Sequence, residues 1–564
     1  MASLQAAGVV GTGTPASCTQ TALTTALAGG GTVTFNCGGA ATILVISQIP
    51  ITQNTVIEGG GLITITGGLT TRLFDVTGSL TSLTLNDLIL DSFFSAGSGG
   101  GNGGAIRSVG TLALNNVTIR FSQTNGCGGA IYSDGTLIIS NSTFGNNTGV
   151  LAGGAICTGL PPTNRLQVTN SSFNSNKTTD VVLGSGGAIY VSGPIAEASI
   201  IDSFFLNNSA KLGGGLTVWT GGTATLSTQN PASPNAFIGN SATQDGGAIY
   251  NLGTLAIHGA GLNANTVPEN TVGIGRGGAI ANLGNLTLQD SVVTVNRGRI
   301  GGGLFVGIIP SAVADVRRTT FSQNQASEFG GGLGTGDALF NTGATVTVTD
   351  SVFRNNTALV NGGGTYRFNT RLDISNSSFT DNGAAGVGGG LFSGAGVPDP
   401  TFVSATSVTF SGNTAGSGQG GGIYTSGFSV FKNLTIKDNT NGIFNAGNFV
   451  TTHLGNSVLD NPGTLNCDGG GRPITLDGNN LSTDNSCAVE TNFTPSLLGP
   501  RLINANGVNQ TRFHLPLAGS PLINAAVGCP TLDQRGAVRP DACDIGAVEF
   551  GGLVWNTFLP LIKK

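Results

Sequence analysis

Charge is what this chain has least of. Only 9% of its 564 residues are Asp, Glu, Lys or Arg, and the net charge is −5. No run of like charges and no basic patch interleaved with aromatics occurs. Phosphate neutralisation needs clustered Lys and Arg, so nucleic acid is not an expected partner. Histidine is scarcer still: His258, His453 and His514 stand far apart with no companion motif. The acids include no Asp-Asp pair, and no Gly-His-Gly occurs. No apolar run reaches the roughly 18 residues of a membrane-spanning helix, so no transmembrane helix is expected. Met1 to Gly13 has neither a basic stretch nor a long apolar core, so a signal peptide is not visible there.

Glycine, by contrast, is abundant, with 94 residues. It has no Gly-X-Y period, which excludes collagen. A hydrophobic share of 39% is too high for a disordered chain. A fold that buries apolar surface while turning tightly many times suits both facts, and repeat architectures do this.

The eight cysteines fall in loose pairs: Cys18 with Cys37, Cys127 with Cys157, Cys467 with Cys487, and Cys529 with Cys543. None has CxxC spacing, which argues against a zinc ribbon or redox motif. The three pairs near the chain ends read as disulfides, implying an oxidising compartment. Cys127 and Cys157 occupy different repeat positions, and bonded or free thiols stay equally open for them.

A glycine-rich anchor, Gly-Gly-Ala-Ile or Gly-Gly-Gly-Leu, recurs at roughly 24 to 33 residue intervals from Gly103 to Ile423. That is the period of one supersecondary unit per repeat, and it is too short for propeller blades. After each anchor, apolar residues alternate with period two, as in a strand with one buried face. Leu137, Ile139, Asn141, Phe144 and Asn147 recur as Leu166, Val168, Asn170, Phe173 and Asn176, and as Val346, Val348, Asp350, Phe353 and Asn356. Asn or Asp holds a turn slot at 116, 141, 170, 202, 290, 350, 376 and 433, because these residues tolerate the left-handed conformation. A stricter Asn slot follows the apolar plug at 147, 176, 208, 265, 296, 324, 356, 382, 413 and 439. Stacked at strand spacing, those amides form a ladder. The expected fold is all-β: a right-handed parallel β-helix (solenoid) of roughly 16–18 coils with a short N-terminal capping helix.

Ser17 to Ala28 is the helix candidate, with Ser17 as N-cap and Leu23 and Leu27 four apart. Strand runs follow at 32–36, 42–47, 55–58 and 62–66. The expected organisation is an N-terminal segment and capping helix over 1–31, the β-helix over 32–496, a C-terminal capping or anchor-type segment over 497–550, and an apolar-basic tail over 551–564.

Gly-Gly-Ala-Ile-Tyr, then Gly-Thr-Leu, then Asn-Ser-Thr-Phe, best seen over Gly128 to Asn147, resembles the β-helix repeats of polymorphic outer-membrane proteins and related secreted proteins. This resemblance covers about Gly100 to Asn445. Ser520-Pro521-Leu522-Ile523, Asp533-Gln534-Arg535-Gly536 and Asp544-Ile545-Gly546-Ala547-Val548-Glu549 resemble the choice-of-anchor Q domain. Together the resemblances imply secretion or display on a bacterial cell surface, and neither family brings a defined catalytic set. The resemblance does not extend to the C-terminal membrane β-barrel of an autotransporter, so display by that route is not expected.

The favoured function is a non-catalytic extracellular structural or adhesive protein: a surface rod, adhesin or fibre subunit. Its expected partners are a polysaccharide or other cell-surface component, and copies of itself. The alternative is a carbohydrate-active β-helix enzyme, a polysaccharide lyase or glycoside hydrolase. That chemistry needs two carboxyl groups about 6.5–9.5 Å apart, or acids holding calcium beside a base. Its place would be the loops at 217–237 or 384–401. Asp202, Asp290 and Asp350 take Asn turn slots, so no catalytic residue, no metal ligand and no cofactor is assigned. Asp533, Arg535, Asp544 and Glu549 read as an ion-pair network fastening the C-terminal segment. Arg317, Arg318 and Glu328 interrupt the pattern as a local loop, and Phe93-Phe94 and the loop near Trp219 are candidate contact points.

Overall fold

The computed structural model describes residues 8–552 apart from 97–100, 160–164, 194–196, 269–274, 308, 337–342, 395–401, 448–450, 469–472, 488–496 and 505–509. The tail expected at 551–564 lies almost wholly outside the described residues, as does part of the loop at 384–401. The chain is a right-handed parallel β-solenoid of about 15 turns, just under the expected 16–18. It divides into two units, residues 1–270 with 279–286, and residues 271–278 with 287–564.

In the first unit the turns from Thr111 onward each contribute a five-residue strand and a three-residue strand to one broad parallel sheet and a short strand to a second sheet, and most add a minor third strand. Thr136–Ser140 and Thr143–Gly145 show the pattern, followed by Thr148–Gly149 and Ile156–Thr158. Register follows the repeat: Leu137 pairs with Leu166, Ile139 with Val168 and Phe144 with Phe173. The same slots therefore superpose inside the coil. Phe144, Phe173, Phe205 and Phe237 stack at 4.9, 5.0 and 4.4 Å between ring centres. Each fully buried ring contributes about 1.5–3 kcal/mol by leaving water.

The turn slots behave as the sequence implies. Asn116, Asn141, Asn170 and Asp202 have φ of 54°, 51°, 47° and 47°. The glycine anchor has two distinct roles. Gly128 adopts φ 78°, and a Cβ on Gly129 would lie 2.2 Å from the Gly154 carbonyl oxygen of the next turn. The first glycine turns the chain, and the second lets two backbones touch.

The N-terminal helix spans Gln20–Leu27, with Leu23 and Leu27 buried. Its N-cap is Thr19, whose hydroxyl accepts from Ala22 N, and not Ser17 as expected. Ser17 ends a short 3-10 turn over Pro15–Ser17, where its hydroxyl donates to Thr14 O and accepts from Thr12 N. With both functions engaged there, it is not available as a cap. The strand runs expected at 55–58 and 62–66 form one strand, Thr55–Thr66, with an irregularity between Glu58 and Ile63.

All four cysteine pairs are disulfides, and the open case, Cys127–Cys157, is bonded with 5.6 Å between its Cα atoms. Cys157 sits opposite Tyr132 on neighbouring second-sheet strands. Cys127 precedes its own turn's Gly-Gly. Different repeat positions thus meet across adjacent turns.

The second unit repeats the same coil. Phe321, Phe353, Phe379 and Phe410 stack at 4.7, 4.6 and 4.9 Å. Outside its second sheet Tyr366, Phe392, Tyr424 and Phe444 form another stack at 4.8, 5.1 and 5.3 Å. Their ring faces cover one another; Tyr366 and Phe392 are buried, and Tyr424 and Phe444 are half-buried.

The asparagine ladder is continuous within each unit. Asn147 N and Nδ2 donate to Asn176 Oδ1 at 3.0 and 2.9 Å, and Nδ2 also donates to Ile119 O. The same set recurs from Asn176 to Asn208, Asn208 to Asn240 and Asn240 to Asn265. In the second unit it runs Asn324, Asn356, Asn382, Asn413, Asn439, Asn461 and Asn466. Asn240, Asn461 and Asn466 extend the ladder beyond the expected positions.

In the C-terminal segment, an antiparallel hairpin of Leu498–Ile503 and Arg512–Pro516 leads to a compact irregular region closed by Cys529–Cys543. This segment lies along the outward face of the last turns. Arg512 N donates to Ser378 Oγ, Thr409 Oγ1 to Gln534 Oε1, and Ala547 N to Thr435 Oγ1. Leu522, Ala526, Cys543 and Ile545 pack on Val458 and Leu481.

Candidate functional site

The residue after each anchor Ile or Leu points out of the coil, so a line of such residues runs up the second sheet. In the first unit Asp75, Arg107 and Tyr132 follow one another in register. Arg107 Nη1 lies 3.3 Å from Asp75 Oδ1, and Gln48 Nε2 donates to Asp75 Oδ2 at 3.2 Å. Arg72 bonds Gln48 Oε1, Ser95 Oγ and the carbonyls of Asn102 and Gly103. Tyr132 bonds Asp134, and burial and then this carboxylate push its phenol well above the usual range.

This row has the residue types of a carbohydrate site, but its groups are engaged with one another. Asp75 and Asp134 lie two turns apart, roughly 10 Å along the coil. The pair in an inverting hydrolase spans about 6.5–9.5 Å with room for water. Here Arg107 stands between them. A phenol pushed upward is also a poor general base. Among the described residues, no group of three or more His, Cys, Asp or Glu is placed to hold a metal ion.

The residues flagged from the sequence mostly have structural partners. Asp202 accepts from the backbone N–H groups of Gln229 and Asn230, holding a turn. Arg318 makes a bidentate pair with Asp290, Arg317 pairs with Asp315, and Glu328 pairs with Arg299. Trp219 packs on Tyr190 at 6.0 Å, and His453 bonds Asp477. Phe93, expected as an exposed contact, is fully buried. The left-handed turn at Ser92 (φ 58°) breaks the alternation after Asp91 and returns Phe93 to the interior.

In the C-terminal segment Asp533 accepts from the backbone of Arg535, Ala537 and Glu549 and pairs with the Arg535 guanidinium. Arg539 bonds Glu549 Oε2 and the carbonyls of Asp544 and Gly546. Asp544 receives Asn524 N and Phe550 N. These groups tie together three stretches of chain. Burial, and then the acids beside it, push Glu549 upward despite Arg539.

His514 is buried in the hairpin, with Nδ1 2.9 Å from Gly499 O and Nε2 2.9 Å from Ser411 Oγ. Nδ1 donates to the carbonyl; burial favours the neutral ring, in which Nε2 accepts from the hydroxyl. Burial lowers its pKa against the opposing pull of Gly499 O and Asp438, while Lys437 and Arg501 add to the lowering. The unfolded chain then takes up a proton first as pH falls below about 6.5. Hairpin stability is expected to be full above that pH and to decline toward the lower folded-state value. Hydrogen exchange of hairpin amides at pH 7.5 and 5 should show faster opening at pH 5. In His514→Gln that difference should disappear.

Sequence reasoning missed Asp75, Arg107, Tyr132 and Asp134 as a group. The available signal was the slot after the anchor Ile, held by Arg107, Tyr132, Tyr190 and Tyr250, which the strand period sends outward.

The class defined by these features is a disulfide-braced parallel β-solenoid with a C-terminal segment laid on its flank. Its repeats match the model of the Chlamydia polymorphic membrane protein (Chlamydia_PMP) repeat at residues 170–192, 236–252 and 407–426. No curated protein matches the chain. Among solved structures, it is similar to a mannuronic acid specific polysaccharide family 6 lyase enzyme from human gut microbiota, at 13% identity and TM-score 0.37, covering 61% of this chain and 81% of that one. It is also similar to PfbA, a surface adhesin of Streptococcus pneumoniae, at 13% identity and TM-score 0.23, covering 79% and 92%. Among the described residues, no helix is long and apolar enough to cross a membrane.

Proposed function

We propose that this chain is a non-catalytic adhesive protein of a bacterial cell surface. The carrying observation is that outward charges pair largely with neighbours on their own or the adjacent turn: Asp75 with Arg107, Asp91 with Arg120, Asp290 with Arg318, Asp460 with Lys437. Catalytic carboxylates are instead held apart and open to substrate. The repeat match to a bacterial membrane-protein family supports the location, and four disulfides fit an oxidising compartment. The C-terminal segment over 497–550 serves as a brace for the coil end in this reading.

A polysaccharide-degrading enzyme is the second reading, favoured by the row Asp75, Arg107, Tyr132 and Asp134 on one open sheet. A depolymerisation screen separates the two. Purified protein is incubated with acidic and neutral polysaccharides, with and without calcium, and no new reducing ends are expected.

A further inference from the structure

The C-terminal hairpin brings a surplus of positive charge to one point of the second unit. Arg501 Nη1 lies 2.8 Å from Asp381 Oδ1, and Arg512 Nη1 lies 3.3 Å from Asp381 Oδ2. One carboxylate therefore faces two guanidiniums. Arg354 stands on the adjacent turn, in register with Thr380, the residue before Asp381. Its charge and that of Arg501 both act on Arg512, whose own burial already lowers its pKa. Two guanidiniums share one acid and a third stands beside them, leaving an excess of two positive charges.

The side chains of Arg501 and Arg512 keep 30% and 19% of their surface open, so both can be reached from solvent. Guanidiniums bind carboxylate and sulfate in a planar two-point fashion. A nucleic-acid backbone carries phosphates continuously and needs a basic track, which a chain of net charge −5 without basic runs does not offer.

We propose that Arg354, Arg501 and Arg512, gathered around Asp381, form a binding site for the carboxylate or sulfate groups of an acidic polysaccharide. This names a ligand class for the adhesive reading above and rests on that reading only for the use the bacterium makes of it. Arg354 is the free arm of the site, because Arg501 and Arg512 also hold the hairpin to the solenoid.

The test uses the full chain immobilised on a biosensor, with heparin, polygalacturonate, neutral dextran and a short DNA duplex as probes. Heparin, polygalacturonate or both should bind, more weakly as salt rises, and dextran should not. Binding of heparin alone identifies sulfate as the recognised group, and binding of polygalacturonate alone identifies carboxylate. Arg354→Gln should weaken binding about tenfold, the scale of one charge-assisted hydrogen bond, with an unchanged melting temperature. Arg354→Lys should fall between, keeping the charge but losing the fork. The proposal is overturned if neither acidic polymer binds, if R354Q binds as well as the parent, or if the DNA duplex binds as tightly. None of those results touches the adhesive reading, which enzymatic turnover would overturn without bearing on this site.

Discussion

An alanine at position 356 is expected to destabilise the second unit by about 3–5 kcal/mol, because several buried polar groups lose partners at about 1–3 kcal/mol each. Asn356 is fully buried. Its Oδ1 accepts from Asn324 N and Asn324 Nδ2, and its Nδ2 donates to Phe321 O and Asn382 Oδ1. Truncation leaves the two Asn324 donors without an acceptor and takes a donor from two carbonyl oxygens. No water can enter a sealed coil to replace them without opening it. Thr357→Ala, one residue along on the exposed side, should change stability by no more than about 0.5 kcal/mol. Urea unfolding of the two variants beside the parent measures the difference. Equal midpoints would mean that the ladder contributes nothing beyond the backbone bonds.

Gly129→Ala should be still more damaging. The added Cβ would sit 2.2 Å from Gly154 O and 2.5 Å from the Thr148 carbonyl carbon. Both are backbone atoms of the next turn, so no side chain can swing aside. Relief requires the turns to separate and their ladder bonds to break. The loss should exceed about 4 kcal/mol, a size reserved for steric or buried-polar failures. At Gly145 the nearest atom to an added Cβ is Arg120 Cβ at 3.9 Å. Gly145→Ala should therefore be near neutral. Thermal unfolding of both variants decides the point, and a well-folded G129A would show that the turns are further apart than described.

The solenoid was legible because each turn repeats the same physical problem. Only Asn, Asp or Gly sits cheaply at positive φ, so the first turn slot reads out directly. A second left-handed slot lies just before each ladder asparagine and was missed. It is held by Asn146, Ser175, Ala264, Val295, Gln323 and Asp381, with φ of 55° to 59° at Ala264 and Val295. A β-branched residue there is strained. The paired bonds of the following asparagine impose the conformation, so the strained residue itself carries no signature.

What was not legible depends on contacts distant in sequence. Arg501 and Arg512 meet Asp381 120 and 131 residues away. No local pattern announces that three arginines will gather, or that Arg512 will meet Ser378 and His514 will meet Ser411. The ion-pair reading of Asp533, Arg535, Asp544 and Glu549 was accessible because those residues crowd within one short stretch, although their essential partner Arg539 was not picked out. The row on the second sheet of the first unit stayed hidden for another reason. Its slot holds Asp, Arg, Tyr, Cys and Thr in different turns, and a slot of varied occupants does not stand out in a repeat.

The depolymerisation screen tests the central claim most directly, when retention and turnover are read in the same samples. Protein is held with a broad panel of acidic and neutral polysaccharides, with and without calcium, while bound protein, new reducing ends and unsaturated products are followed. An adhesive solenoid retains on some polymers and leaves every chain length unchanged, indistinguishable from a heat-inactivated control. Sustained product formation above that control would contradict it. Asp75, Arg107, Tyr132 and Asp134 would then be the first residues to replace.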